Sequence, residues 1–238
     1  MARIQLTSDS IGSLFTIPEG NWTAIDRRVD LVLLAKDAAA LIAQTIPPFP
    51  ALVAQCEVWR AATLPGVLAQ SQSLAAWASA ARADFAELQR RMAGLNEMDP
   101  LPPETHRFAE CALQGLATST RVQKDHFDPL LAGVREFASR NMAVDAIVDR
   151  NVRKLGPEWK SLAAESAGLQ QASGKVLGGW QALSHDLDQV AAGKFTLDVP
   201  FLLDLEIAVA VRSWENIARE AAAFPAKAAG RVAQEVRA

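Results

Sequence analysis

Between Trp159 and Val190 the chain places apolar or small residues at alternating steps of three and four. The series is Trp159, Leu162, Ser166, Leu169, Ser173, Val176, Trp180, Leu183, Leu187 and Val190. A second run does the same through Val67, Ser71, Leu74, Ala78, Ala81, Phe85, Leu88, Met92 and Leu95. Such spacing draws one narrow stripe along a helix, the pattern of long helices packed side by side.

Residues 1–21 mix Thr, Ser, Gly and Pro18 with a few apolar positions and read as an irregular N-terminal arm. Asn21 is the expected cap of a first helix over about Trp22–Thr45, with Ile25, Val29, Val32, Ala39, Ala43 and Ile46 toward the core. Pro47-Pro48-Phe49-Pro50 ends it, because proline lacks the N–H and disfavours helix before it. A second helix is predicted from Ala51 to Leu95, kinked at Leu64-Pro65-Gly66, where the stripe Leu52, Cys56, Trp59 changes phase. After a proline-marked turn at 96–103, a third helix runs from Glu104 toward Leu155. It is bent at Pro129 and striped by Phe127, Leu130, Val134, Phe137, Asn141, Val144, Val148, Val152 and Leu155. Gly156-Pro157 marks a stop and restart. The fourth helix then covers Pro157–Ala192, and a fifth spans Pro200 to about Val236, with a bend at Pro225. The fold class predicted is all-α, an elongated up-and-down bundle of about five long helices, with residues 22–238 forming a single domain.

Composition supports helix: Ala is abundant, Tyr is absent and β-branched clusters are scarce. The net charge is −3 with no basic block that would track phosphates, which argues against nucleic-acid binding. The N-terminus lacks the charged start and apolar core of a secretory signal, and no apolar run approaches the ~18 residues of a membrane span. The expectation is a soluble chain, cytoplasmic or secreted without a classical signal. Cys56 and Cys111 stand outside any CxxC arrangement and read as two buried thiols.

Candidate chemistry is sparse. The histidines His106, His126 and His185 sit beside acids, but the Glu-x-x-His pairs of a di-iron bundle are missing. Gly174, Gly178 and Gly179 lack the Lys-Ser/Thr ending and preceding strand of a phosphate loop, and read instead as a place for close packing around Trp180. No nucleophile elbow is present, and neither cysteine has a histidine at a recognisable spacing. The sequence therefore points to a non-enzyme without cofactor, metal or small-molecule substrate. Of the tryptophans, Trp59, Trp159, Trp180 and Trp214 fall on or beside stripes, whereas Trp22 and Trp77 fall off them and are expected to bury against flanking helices.

One segment stands apart. From Val199 to Val211 nearly every face is apolar, interrupted only by Asp204 and Glu206. Such a helix is either buried on all sides or meets something outside the monomer. Phe201, Leu202, Leu203, Leu205, Ile207 and Val209 are accordingly the candidate contact residues for a membrane surface or for other protein subunits in a homo- or hetero-oligomer.

The long second and third helices, the segment His126–Phe137, the stretch Trp180–Leu187 and the tail helix Ala210–Phe224 around Trp214 together carry a resemblance. Across about residues 22–236 the chain resembles the α-helical pore-forming toxins of the cytolysin A and haemolysin BL type. That resemblance implies a component of a multi-subunit toxin that rearranges its terminal helices and exposes 199–211 for assembly. Where that family inserts an apolar tongue, however, the junction Asp145–Pro157 here is short and charged. A component relying on a partner to breach the membrane is then implied, with Asp204 and Glu206 opposing insertion while ionised. The alternative is a non-enzymatic scaffold or adaptor that presents long helix faces to a partner.

Overall fold

A computed structural model of the protein describes residues 4–151 and 161–228. The stripe positions Val152, Leu155 and Trp159, the Gly156-Pro157 signal and the end of the last helix near Val236 lie outside the described residues.

Among the described residues the chain is all-α, built of long helices packed together, without a strand. A 3-10 turn at Asp9–Gly12 precedes α1 (Glu19–Leu34). A second 3-10 turn, Lys36–Ala38, and the single-turn α2 (Ala39–Ile42) lead to α3 (Phe49–Val58), which a π-helical segment, Trp59–Thr63, joins to α4 (Leu64–Met92). The 49-residue α5 (Pro103–Asn151), α6 (Ala163–Ala191), the short α7 (Val199–Asp204) and α8 (Ile207–Ala228) follow.

The stripes govern these helices. Every stripe position of α4 from Val67 to Met92 is buried, as is every one on α6 and its lead-in from Leu162 to Leu187. On α5 the stripe holds at Phe127, Val134, Phe137, Asn141, Val144 and Val148, with Leu131 rather than Leu130 fully buried. The phase change expected at Leu64-Pro65-Gly66 is absorbed one turn earlier, by the π-helical segment. Pro65 has no N–H and crowds the carbonyl of Ala61, so a wider turn there relieves both effects. Thr63, buried inside that turn, carries the stripe across from Trp59 to Val67.

The first helix departs most from expectation. It starts at Glu19, directly after Pro18, without a side-chain cap, so Asn21 is already inside it. It also ends at Leu34, eleven residues before Thr45, and neither the following 3-10 turn nor α2 buries a residue. With Leu34 and Leu41 both exposed, nothing beneath this stretch holds the helical phase. The fifth helix is likewise divided into α7 and α8. Leu202 and Leu205 share one face, whereas the buried series of α8 (Ile207, Ala210, Trp214, Ile217, Ala221, Phe224) begins only two residues after Leu205. One continuous helix cannot bury both sets on one side, and the chain breaks at Leu205-Glu206 instead.

The molecule divides into two compact units. The first comprises Met1–Gly12, Ser71–Phe127 and Lys175–Ala222. Its α4 and α5 are antiparallel: Gln123 donates to Ser73 Oγ at 3.3 Å and Trp77 to Ser119 Oγ at 2.8 Å, four residues forward on one helix for four back on the other. Trp77, off the stripe as expected and half-buried, lies edge-on to Trp214 and tilted against Trp180. The first part of the N-terminal arm, to Gly12, belongs to this unit rather than being a loose lead. Leu6 and Ile11 are buried, the Gln5 N–H donates to Asp186 Oδ2 at 2.9 Å, and the Ser213 hydroxyl donates to Asp9. Gly179 makes room for that arm: a Cβ there would stand 3.0 Å from Ser8 Oγ and Ser10 Cβ. Gly174 and Gly178 face open space and permit no close approach, contrary to the expectation for that trio.

The second unit comprises Ser13–Gln70, Asp128–Gly174 and Ala223–Ala238. Trp59 stacks on Phe137 at 4.3 Å, and Trp22, fully inside as expected, meets Trp59 and Phe224. A Cβ on Gly133 would lie 2.8 Å from Thr63 Oγ1, so the Thr63 side chain of the π-helical segment packs directly on the α5 backbone, and the Gln55 side chain from α3 donates to the Gly133 carbonyl. Cys56 is buried, as expected; Cys111 is exposed, correcting the reading of two buried thiols, because position 111 faces away from the Ala109–Leu113–Leu116 side of α5.

Candidate functional site

The candidate contact residues lie around a sharp corner. The Asp198 side chain accepts the Phe201 N–H at 2.9 Å and caps α7, with Pro200 in the first turn where a missing N–H costs nothing. α7 lasts six residues. At Glu206 the backbone then enters the left-handed region, with φ 47°, the only described non-glycine residue to do so. Its carbonyl accepts the N–H groups of Val209 and Ala210, which starts α8 in a new direction.

This corner sorts the six candidates into two groups. Leu202, Leu205 and Ile207 are core residues, turned inward by the break. Leu203 and Val209, 44% and 47% exposed, point outward, while Phe201 is half-buried and stacks on the exposed Phe195 at 5.3 Å. The all-apolar segment is thus half core and half surface. A groove of about 390 Å³ opens between the corner and the last turn of α4, lined by Met92, Leu202, Leu203, Ile207 and Val209. On the other side of Glu206 and Val209 a second depression of about 280 Å³ runs beneath the N-terminal arm.

The rim is acidic. No Lys or Arg occurs from Phe195 to Val211, and Asp204 and Glu206 are both exposed. On the adjoining turn of α4, Arg90 and Arg91 are both drawn onto Glu87, whose carboxyl is held down to about 2, chiefly by its hydrogen bond from Arg90.

A polar centre that the sequence reading missed lies in the second unit. Arg28 on α1 donates to Asp145 Oδ1 at 2.9 Å and to Asn141 Oδ1 at 3.0 Å, and both members of the ion pair are almost fully buried. Asp145 Oδ2 accepts the Leu162 N–H at 2.7 Å, at the start of α6. The available signal was a cation at a stripe position, since Arg28 falls among Ile25, Val29 and Val32. Asp145, read as the start of a short, charged junction, is a core residue of α5, and its burial is balanced by the Arg28 guanidinium. Burial pushes the Cys56 thiol up to about 12, against the opposing pull of Arg28 and Arg60, which leaves it a poor nucleophile. His106, His126 and His185 do not converge; among the described residues no three His, Cys, Asp or Glu side chains gather in a metal-holding group.

No family model matches this chain, and neither a curated protein nor a solved structure matches it.

Proposed function

We propose that this protein acts by assembly rather than catalysis, as a partner-dependent component of a multi-subunit helical system of the pore-forming type. The α7–α8 corner is its contact surface. The observation that supports this reading is the outward display of Leu203 and Val209 on either side of the Glu206 turn, beside an open apolar groove. Apolar residues at such exposure, next to a concave apolar surface, are the usual makings of an interface. In this reading α7 swings about Leu205-Glu206 on meeting the partner, and Leu202, Leu205 and Ile207 join the contact. The test is size-exclusion chromatography with light scattering, with and without mild detergent or liposomes, on the native protein and on Leu203→Asp and Val209→Asp. Conversion to a discrete larger oligomer, lost in both variants, is the expected result.

A scaffold or adaptor is the second reading, favoured by two observations. No helix among the described residues is long and apolar enough to cross a membrane, and the first part of the junction, at Asp145, is locked into a buried ion pair. An unchanged species in lipid and detergent, with protein partners recovered on the corner, supports the scaffold over the toxin component.

A further inference from the structure

We infer that two copies of this protein pair through the outward face of α1, antiparallel and about a two-fold axis. Trp22, Ile25, Val29 and Val32 turn one side of that helix into the core. The opposite side carries Ala24, Arg27, Leu31 and Leu34, which follow one another at steps of three and four. Leu34 is 85% exposed and Leu31 41%, and on α2 Leu41 adds a third leucine at 67%. Leucines this open, at the spacing of a helix seam, mark a contact surface. It shares no residue with the α7–α8 corner, and the inference stands independently of the function proposed for that corner.

The charges select the occupant. From residue 27 to residue 41 the charged side chains are Arg27, Arg28, Asp30, Lys36 and Asp37. Arg28 is buried against Asp145, Asp30 is engaged by Arg60, and Lys36 donates to Glu57 at 3.3 Å. Arg27 and Asp37 are both exposed, and neither side chain has an ion-pair or hydrogen-bond partner among the described residues. They flank the two leucines, Arg27 one turn before Leu31 and Asp37 one 3-10 turn after Leu34. Reversing a second helix about the midpoint between Val32 and Leu33 brings Arg27 beside Asp37 of the second copy. The same rotation sets Leu31 against Leu34 of that copy, and Leu41 against its Ala24, so that a large side chain meets a small one. A surface that is its own complement under one two-fold rotation is what an isologous dimer requires, and opposite charges at its two ends fix the antiparallel register. A helix of single charge sign or an anionic lipid surface would satisfy one end charge and repel the other.

Sedimentation velocity of the full-length protein, in detergent-free buffer over a concentration series, tests the pairing, alongside thermal melts of each variant. A contact of one helix face per copy belongs at the low end of interface sizes, below about 1,200 Å². A reversible monomer–dimer equilibrium at about 10–100 µM is therefore expected. Leu34→Asp weakens it at least about tenfold with an unchanged Tm, since that side chain already stands in water in the monomer. Arg27→Glu and Asp37→Lys each weaken it about fivefold or more by opposing like charges. An equimolar mixture of these two variants recovers the parent's association, because both opposite-charge pairs then form between unlike copies. Leu203→Asp, at the corner, leaves the equilibrium unchanged. A monomer at every concentration overturns the inference, as does a dimer indifferent to Leu34→Asp. Loss in the two charge variants without rescue in their mixture overturns the antiparallel pairing. A dimer lost in Leu203→Asp but kept in Leu34→Asp overturns it in favour of the corner.

Discussion

Arg28 and Asp145, 117 positions apart, share a hydrogen bond of 2.9 Å with side chains only 3% and 1% exposed. The pair joins α1 to α5, and through the Leu162 N–H it also fixes where α6 begins. Removing one partner strands the other charge in a core. Asp145→Leu and Arg28→Met are each expected to cost about 3–5 kcal/mol, whereas the two changes together cost less than the sum of the single changes. Urea unfolding of the four proteins closes that cycle, and additive losses would contradict a coupled pair.

At the corner, neighbouring leucines should behave oppositely. Leu203→Asp places its charge in water and is expected to stay within about 1 kcal/mol of the parent. Leu205→Asp, two residues on, puts a carboxylate into the core and should cost about 4 kcal/mol or more, enough to unfold a marginal domain. Thermal melts followed by circular dichroism separate the two. Similar losses would mean that the corner is not the boundary between core and surface.

The adjacent glycines of α6 offer a second contrast. Gly178→Ala meets nothing and replaces a poor helix former with the best one, so a gain of about 0.5–1 kcal/mol is expected. Gly179→Leu drives a side chain into Ser8, Ser10 and Ile11 and should cost about 1–3 kcal/mol. Limited proteolysis then reports whether the N-terminal arm has been forced off: earlier cleavage within residues 4–12 is expected for Gly179→Leu alone.

The two thiols should differ in rate and in their effect on stability. Cys111, exposed, reacts with an aromatic disulfide reagent in the native state; Cys56 reacts only on unfolding. Above pH ~9 the unfolded chain gives up the Cys56 proton, while the folded chain holds it to about 12. The folded state then binds the extra proton, so stability is fully present below about pH 9 and declines as pH rises through that window. Cys56→Ala flattens that alkaline slope, which urea melts at a series of pH values would reveal.

The long helices were legible because a stripe at steps of three and four must face a neighbour wherever it occurs. Val67–Met92 and Leu162–Leu187 are buried without exception. The end of α1 was not, since Ala-rich helical propensity continues past Leu34 although neither the 3-10 turn nor α2 buries a residue that would hold the helical phase. The candidate site was half legible. The apolar run 199–211 marked the place, but its division turned on a left-handed residue at Glu206, and no Gly or Asn there announced it. Arg28–Asp145 was hidden for another reason: each residue looks like a solvated charge until the topology brings the two together.

Tyr is absent from this protein, so its near-ultraviolet fluorescence comes from tryptophan alone. Trp22 and Trp59 lie in one compact unit and Trp77, Trp180 and Trp214 in the other. Four of these five have indole N–H groups shut away from any hydrogen-bond partner, and Trp77 alone donates to a hydroxyl. With Trp159, which lies outside the described residues, replaced by Phe in both proteins, replacing Trp22 and Trp59 as well silences one half as an optical signal, and replacing the other three silences the second. The molecule thereby carries its own pair of emitters, with which the melting of each half can be followed without an added dye.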